Sequence, residues 1–152
     1  MTSPVSELRL PADPAYIVVA KRAAAGFASV AGFDVEAVHD LVIAVAQACE
    51  NAISCTHQVI GEPSGQLRLT FALEDQHMVV NVQSSCGRAR VKQAATKPAA
   101  AIARRRKTQV VAEPDATELA LRLMGLFVDE YRYRIDERAG GLRVRLTKYR
   151  VS

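Results

Sequence analysis

With 152 residues, 49% of them hydrophobic and 24% charged, the chain is long enough for one domain with a substantial core and has an ordinary globular composition. Its longest apolar runs fall far short of the roughly 20 residues a membrane span needs, and the N-terminal Met1-Thr-Ser-Pro lacks the basic segment and apolar core of a signal peptide. The net charge of +4 is unevenly placed: eight of the 20 Lys and Arg lie between Arg88 and Lys107 with no acid among them, leaving 12 basic against 16 acidic residues elsewhere.

A mildly acidic body with one basic segment argues against a domain-wide nucleic-acid footprint. Cys49, Cys55 and Cys86 form no CxxC pair, so neither a zinc site nor a disulfide framework is predicted, and a reducing, cytoplasmic setting is expected.

Ser6–Leu10 alternates and predicts a short edge strand. Asp13-Pro14 is a helix start, with Asp as N-cap and Pro at the first helical position, and Gly32 is placed to end that helix. Asp34 caps a second helix, expected to end around Cys55 to His57. Leu67–Leu73 alternates as a strand, and a tight connection at Glu74-Asp-Gln76 leads to a second strand, His77–Ser84, with Met78, Val80 and Val82 facing inward. From Arg88 to Glu113 no amphipathic period survives, which predicts a long mobile basic loop. Pro114-Asp115 introduces a third helix. Asp129–Ile135 (Tyr131, Tyr133 and Ile135 on one face) and Leu142–Thr147 then form a hairpin around Ala139-Gly-Gly141. The order β-α-α-β-β-loop-α-β-β predicts a single α+β domain, a two-layer sandwich with about three helices on one face of a mixed, mostly antiparallel sheet.

The second helix carries the most informative stretch, Asp40–Cys55. Gln47 and Asn51 are four apart and so lie on one line of the helix, extended by Ala44 and Cys55. Leu41, Val42, Val45, Cys49, Ala52 and Ile53 fill the other faces. Periodicity alone leaves two readings open: a core helix with amides at one wet edge, or a helix that lines a ligand site.

With the elements placed, the chain resembles the anti-sigma-factor serine kinases of the RsbW/SpoIIAB type, small members of the GHKL (Bergerat) ATPase superfamily. The likeness runs through Leu10-Pro-Ala-Asp-Pro-Ala-Tyr16, Asp40–Ile53, Leu121-Arg-Leu-Met-Gly-Leu-Phe-Val-Asp-Glu-Tyr131 and Leu146-Thr-Lys-Tyr149. It implies a histidine-kinase-like ATPase domain over the whole chain, with the basic segment at about 88–113 in the place of the ATP lid.

The family's second helix carries Glu-x-x-x-Asn. Asn51 matches the Asn, a magnesium ligand when nucleotide is bound, and Gln47 stands where the Glu polarises the attacking group. A neutral amide accepts no proton at physiological pH, and Glu50 points roughly 100° away from Asn51. In the family's Asp-x-Gly motif the Asp binds the adenine amino group. Here Ser84 or Ser85 replaces it, and Gly87 keeps the glycine if Ser85 is the counterpart. The Gly-Leu-Gly-Leu motif, where backbone amides approach the triphosphate, reads Glu118-Leu-Ala-Leu121, so Glu118 and Ala120 replace both glycines.

The resemblance implies an anti-sigma factor or a related partner-switching regulator, and these substitutions predict that it binds stoichiometrically and holds no cofactor, with Mg-ATP the cofactor if the ancestral site survives. The resemblance implies a sigma factor as partner, a STAS-domain anti-anti-sigma protein as competitor, and a homodimer, with the N-terminal strand as a contact point. Two other readings stay open: an active serine kinase acting on the STAS protein, and a nucleic-acid-associated protein acting through the basic loop, whose eight cations could hold several phosphates. Asn51 is either the metal ligand or a plain helix amide. The cysteines are expected to be packing residues, and His39, His57 and His77 surface or boundary residues.

Overall fold

The computed structural model describes residues 4–60, 65–85, 116–136 and 141–150. The chain runs β1 (Val5–Pro11), a 3-10 turn (Pro14–Tyr16), α1 (Ile17–Val30), α2 (Val35–Ile60), β2 (Gln66–Leu73), β3 (His77–Ser85), α3 (Ala116–Met124), β4 (Glu130–Asp136) and β5 (Gly141–Tyr149). The expected order is reproduced. The basic segment at 88–113, together with Cys86 and Gly87, lies outside the described residues.

Local capping chemistry sets the helix boundaries. The Asp13 carboxylate accepts from the Ala15 amide at 2.9 Å with Pro14 following, but the first turn is 3-10 and the α-helix begins only at Ile17. Gly32, at φ +85°, terminates α1 in a Schellman arrangement: the Phe33 amide donates to the Ala28 carbonyl and the Gly32 amide to the Ser29 carbonyl, both at 3.1 Å. Two residues on, the Asp34 carboxylate accepts from the Ala37 amide at 2.8 Å and opens α2. That helix runs to Ile60, beyond the expected end near Cys55 to His57, because no glycine or proline interrupts the sequence before Gly61.

The five strands form one sheet in the order β1-β2-β3-β5-β4. All four pairings are antiparallel, so the expectation of a mixed sheet narrows to an antiparallel one. Cross-strand partners share a face, and the register aligns whole rows. Leu8, Leu69, Val82, Val144 and Tyr133 form one row, and Ser6, Phe71, Val80, Leu146 and Tyr131 another. Both belong to the face covered by helices, and most of their members are buried. On the outer strand β4 the burial weakens, leaving Tyr133 41% exposed.

α2 packs on β3, β5, α1 and α3, which makes it the central helix. Ala20, Ala24 and Ala28 are buried in α1, and Ala44, Ala48 and Ala52 in α2. Such ridges of small residues at four-residue spacing suit close helix approach. The Phe27 ring stacks on Phe71, centroids 4.7 Å apart, joining α1 to the sheet. At the opposite edge, the Lys148 ammonium donates to the Phe127 carbonyl at 3.0 Å and lies 3.6 Å from Asp40 of α2. No described helix is long and apolar enough to cross a membrane.

Candidate functional site

α2 presents its Gln47–Asn51 line toward the interior. Asn51 is buried, 9% exposed, and its Nδ2 has no hydrogen-bond partner among the described residues; nor has the buried Thr56 hydroxyl on the same helix. An unsatisfied buried amide is expensive, so Asn51 is left with hydrogen-bonding capacity unspent on the described residues. Gln47, one turn earlier, is half-buried, whereas Glu50 is exposed. The helical phase therefore keeps the nearest carboxylate out of the site.

The two candidate serines on β3 are told apart by the sheet. Ser84 shares its row with Leu67 and Leu10 on the helix-covered face and is fully buried; Ser85 pairs with Gln66 on the open face. The Ser84 hydroxyl accepts from the Leu142 amide at 3.0 Å. Its commitment to β5 has no local signature in the sequence, because Ser84 and Leu142 are 58 residues apart. A clue lay in Gly141, where any Cβ would fall onto the Ser84 carbonyl.

α3 packs against α2, bringing Ala120 of that helix, half-buried, to the same side of the domain. The Glu118 side chain and Gly87 lie outside the description. Among the described residues no group of three or more His, Cys, Asp or Glu is placed to hold a metal ion.

Cys49 is buried in the core, and that burial, seconded by Glu50, pushes its thiol up to about 12. Native protein treated with iodoacetamide near neutral pH should leave Cys49 unmodified, while the denatured protein is alkylated there; peptide mass spectrometry reads both. His39 is exposed, and His77 sits 3.8 Å from Glu74 and packs against Tyr149, so neither reaches the α2 line.

Residues 10–148 match the family described as histidine kinase-like ATPase domains. The chain belongs to that family. Within it, the chain is similar to proteins named serine-protein kinase RsbW. The relative from Listeria monocytogenes serotype 4a is 35% identical over 78 residues, 51% of this chain and 48% of the relative. That from Oceanobacillus iheyensis is 32% identical over 76 residues, 50% of this chain and 47% of the relative. The Bacillus licheniformis protein is 29% identical over 145 residues, 94% of this chain and 84% of its own length. The first of these alignments spans about half the length of the curated relative it matches. As a histidine kinase-like ATPase domain, the chain has the two-layer build, with helices on one face of the sheet, that the resemblance implied.

Proposed function

We propose that this chain is a partner-switching regulator that sequesters a sigma factor by stoichiometric binding, with nucleotide binding and kinase activity lost or much reduced. The observation that carries this reading is Gln47, a neutral amide one turn before Asn51 on the central helix. Mg-ATP fits the described residues poorly. Asn51 retains a polar amide suited to a metal or phosphate, but Gln47 cannot take a proton. Ser84 spends its acceptor oxygen on Leu142, and Ser85 lies on the other face of the sheet. Ala120 and Glu118 replace glycines in sequence, and an acid beside phosphates would repel them. No phosphoryl transfer follows from this set. A STAS-domain protein is the expected competitor, and the free outer edge of β1, which pairs only with β2 among the described strands, is the proposed homodimer contact.

Isothermal calorimetry with millimolar Mg-ATP should give no saturable heat, and Gln47→Glu alone should restore neither binding nor turnover. Micromolar binding, with phosphate transferred to a STAS partner, would overturn this reading. A second reading, a working serine kinase, is favoured by one observation, the unspent buried amide of Asn51. It predicts that Asn51→Ala removes a measurable nucleotide affinity. Sigma-factor binding is tested separately, by recovering a sigma factor with the tagged chain from its native cytoplasm.

A further inference from the structure

The open face of the sheet gathers arginines that the sequence scatters. Arg9 pairs with Arg68 across β1 and β2; Arg134 pairs with Arg143, and Arg132 with Arg145, across β4 and β5. Gln83 and Asn81 of β3 complete the two rows. All six arginines are exposed. Strands sit about 4.8 Å apart, so the row from Arg9 to Arg134 spans about 19 Å.

The two halves of this face differ. On the β1–β2 half, Glu7 bridges the like-charged pair, accepting from Arg9 Nε at 2.6 Å and Arg68 Nη2 at 3.1 Å. The bond from Arg9 is the chief reason its carboxyl is held below the usual range. On the β4–β5 half, none of Arg132, Arg134, Arg143 and Arg145 makes an ion pair or hydrogen bond with a described residue. Like charges directly opposite one another are unfavourable, and here two such pairs stack. Glu130, two residues before Arg132 on the same face, makes no ion pair with a described residue, and its charge pushes the Tyr149 hydroxyl upward. Between Arg132 and Arg145 lies a depression of about 140 Å³, bordered by Glu130 and Thr147.

We propose that this arginine quartet is a docking site for an acidic segment of a protein partner, whose carboxylates do between β4 and β5 what Glu7 does between β1 and β2. The two arginine pairs are two residues apart along each strand, about 7 Å. Carboxylates at i and i+2 of an extended segment match that spacing, as roughly do i and i+4 on a helix. Arginine forks suit paired carboxylates. Nucleic acid fits less well: the described rings on this face, His77 and Tyr149, pack on each other at the far end of β3 and β5, four residues from Asn81 and Arg145, and a phosphate chain long enough to cross the sheet would meet Glu7. A second copy stacked face to face would set arginine against arginine.

The full-length chain can be titrated into a fluorescein-labelled 12-residue peptide of alternating Glu and Thr, with anisotropy as readout and a Gln-Thr peptide as control. Binding to the Glu-Thr peptide alone is expected, weakening as salt is raised. Arg132→Gln with Arg145→Gln, and separately Arg134→Gln with Arg143→Gln, should each weaken it at least tenfold. Lys21→Gln with Arg22→Gln on α1, and Arg105→Gln with Arg106→Gln in the basic segment, remove the same charge and should change it less than threefold. The quartet variants should also melt at or above the wild-type temperature, since they relieve like-charge pairs. Equal binding by the quartet variants, or loss confined to the basic-segment variant, would sink the proposal. A mixed-sequence 20-bp duplex that binds tenfold more tightly than the peptide, and is weakened by the same variants, would reassign the face to nucleic acid.

Discussion

Phe71→Ala is expected to destabilise the domain by about 3–5 kcal/mol and to lower Tm by roughly 10 °C. Phe71 is the largest fully buried side chain among the described residues, and it lies in the row of β2 that meets Val80 of β3. Its ring also carries the stack with Phe27 that seats α1 on the sheet. Truncation removes the transfer energy of the ring, opens a cavity and forfeits an aromatic pair worth about 0.5–1.5 kcal/mol. With total stabilities of about 5–15 kcal/mol for such domains, the variant should sit close to the unfolding threshold. Phe71→Leu should lose less than half as much, because it refills most of the volume and forfeits chiefly the stack. Thermal denaturation followed by circular dichroism decides it. A Tm within two or three degrees of wild type for Phe71→Ala would mean that α1 is not anchored through this ring.

The second large effect belongs to Gly141→Ala. At this position β5 approaches β3 so closely that a Cβ would meet the Ser84 carbonyl carbon and oxygen and the Ser84 hydroxyl. The main chain cannot move aside as a flexible side chain would, so the strands must separate. Overpacking costs about 1–3 kcal/mol, and losing the bond from the Leu142 amide to the Ser84 hydroxyl leaves a buried donor unsatisfied for another 1–3 kcal/mol. A total near 3 kcal/mol is expected. Ser84→Ala removes only the acceptor and should lose about half as much. The two changes share one contact, so their effects should not add. Hydrogen exchange at the Leu142 amide, fast in either variant and slow in wild type, identifies the bond itself. The same pair bears on function: a serine held this way contributes its oxygen to the β3–β5 junction, so Ser84→Ala should leave nucleotide titrations unchanged.

Much of the fold was legible because it is written in local periods. The alternation of Leu67, Leu69 and Phe71, the Asp13-Pro14 and Asp34 starts, and the Gly32 stop each act within a few residues, where sterics and capping bonds decide. Gln47 and Asn51 fell on one line for the same reason, since helical phase is set by spacing alone. Helix ends were less well marked. α2 passes its expected end because nothing in the sequence halts it before Gly61, and α1 starts with a 3-10 turn that the Asp-Pro pair does not reveal.

What only the tertiary structure decided is everything that depends on strand order and register. Nothing in the sequence says that β5 inserts between β3 and β4, yet that insertion buries Ser84 against Leu142 and turns a candidate ligand contact into a strand-joining bond. Composition gave the body outside the basic segment a small negative charge. The antiparallel register nonetheless collects six arginines from four strands onto one face and leaves four of them without an ion pair to a described residue. Charge summed along a chain carries no information about direction, whereas pleating and pairing send alternate residues to opposite faces and bring distant ones side by side. The sequence by itself determined the elements and the family; long-range pairing determined which side chains remain free to meet a partner.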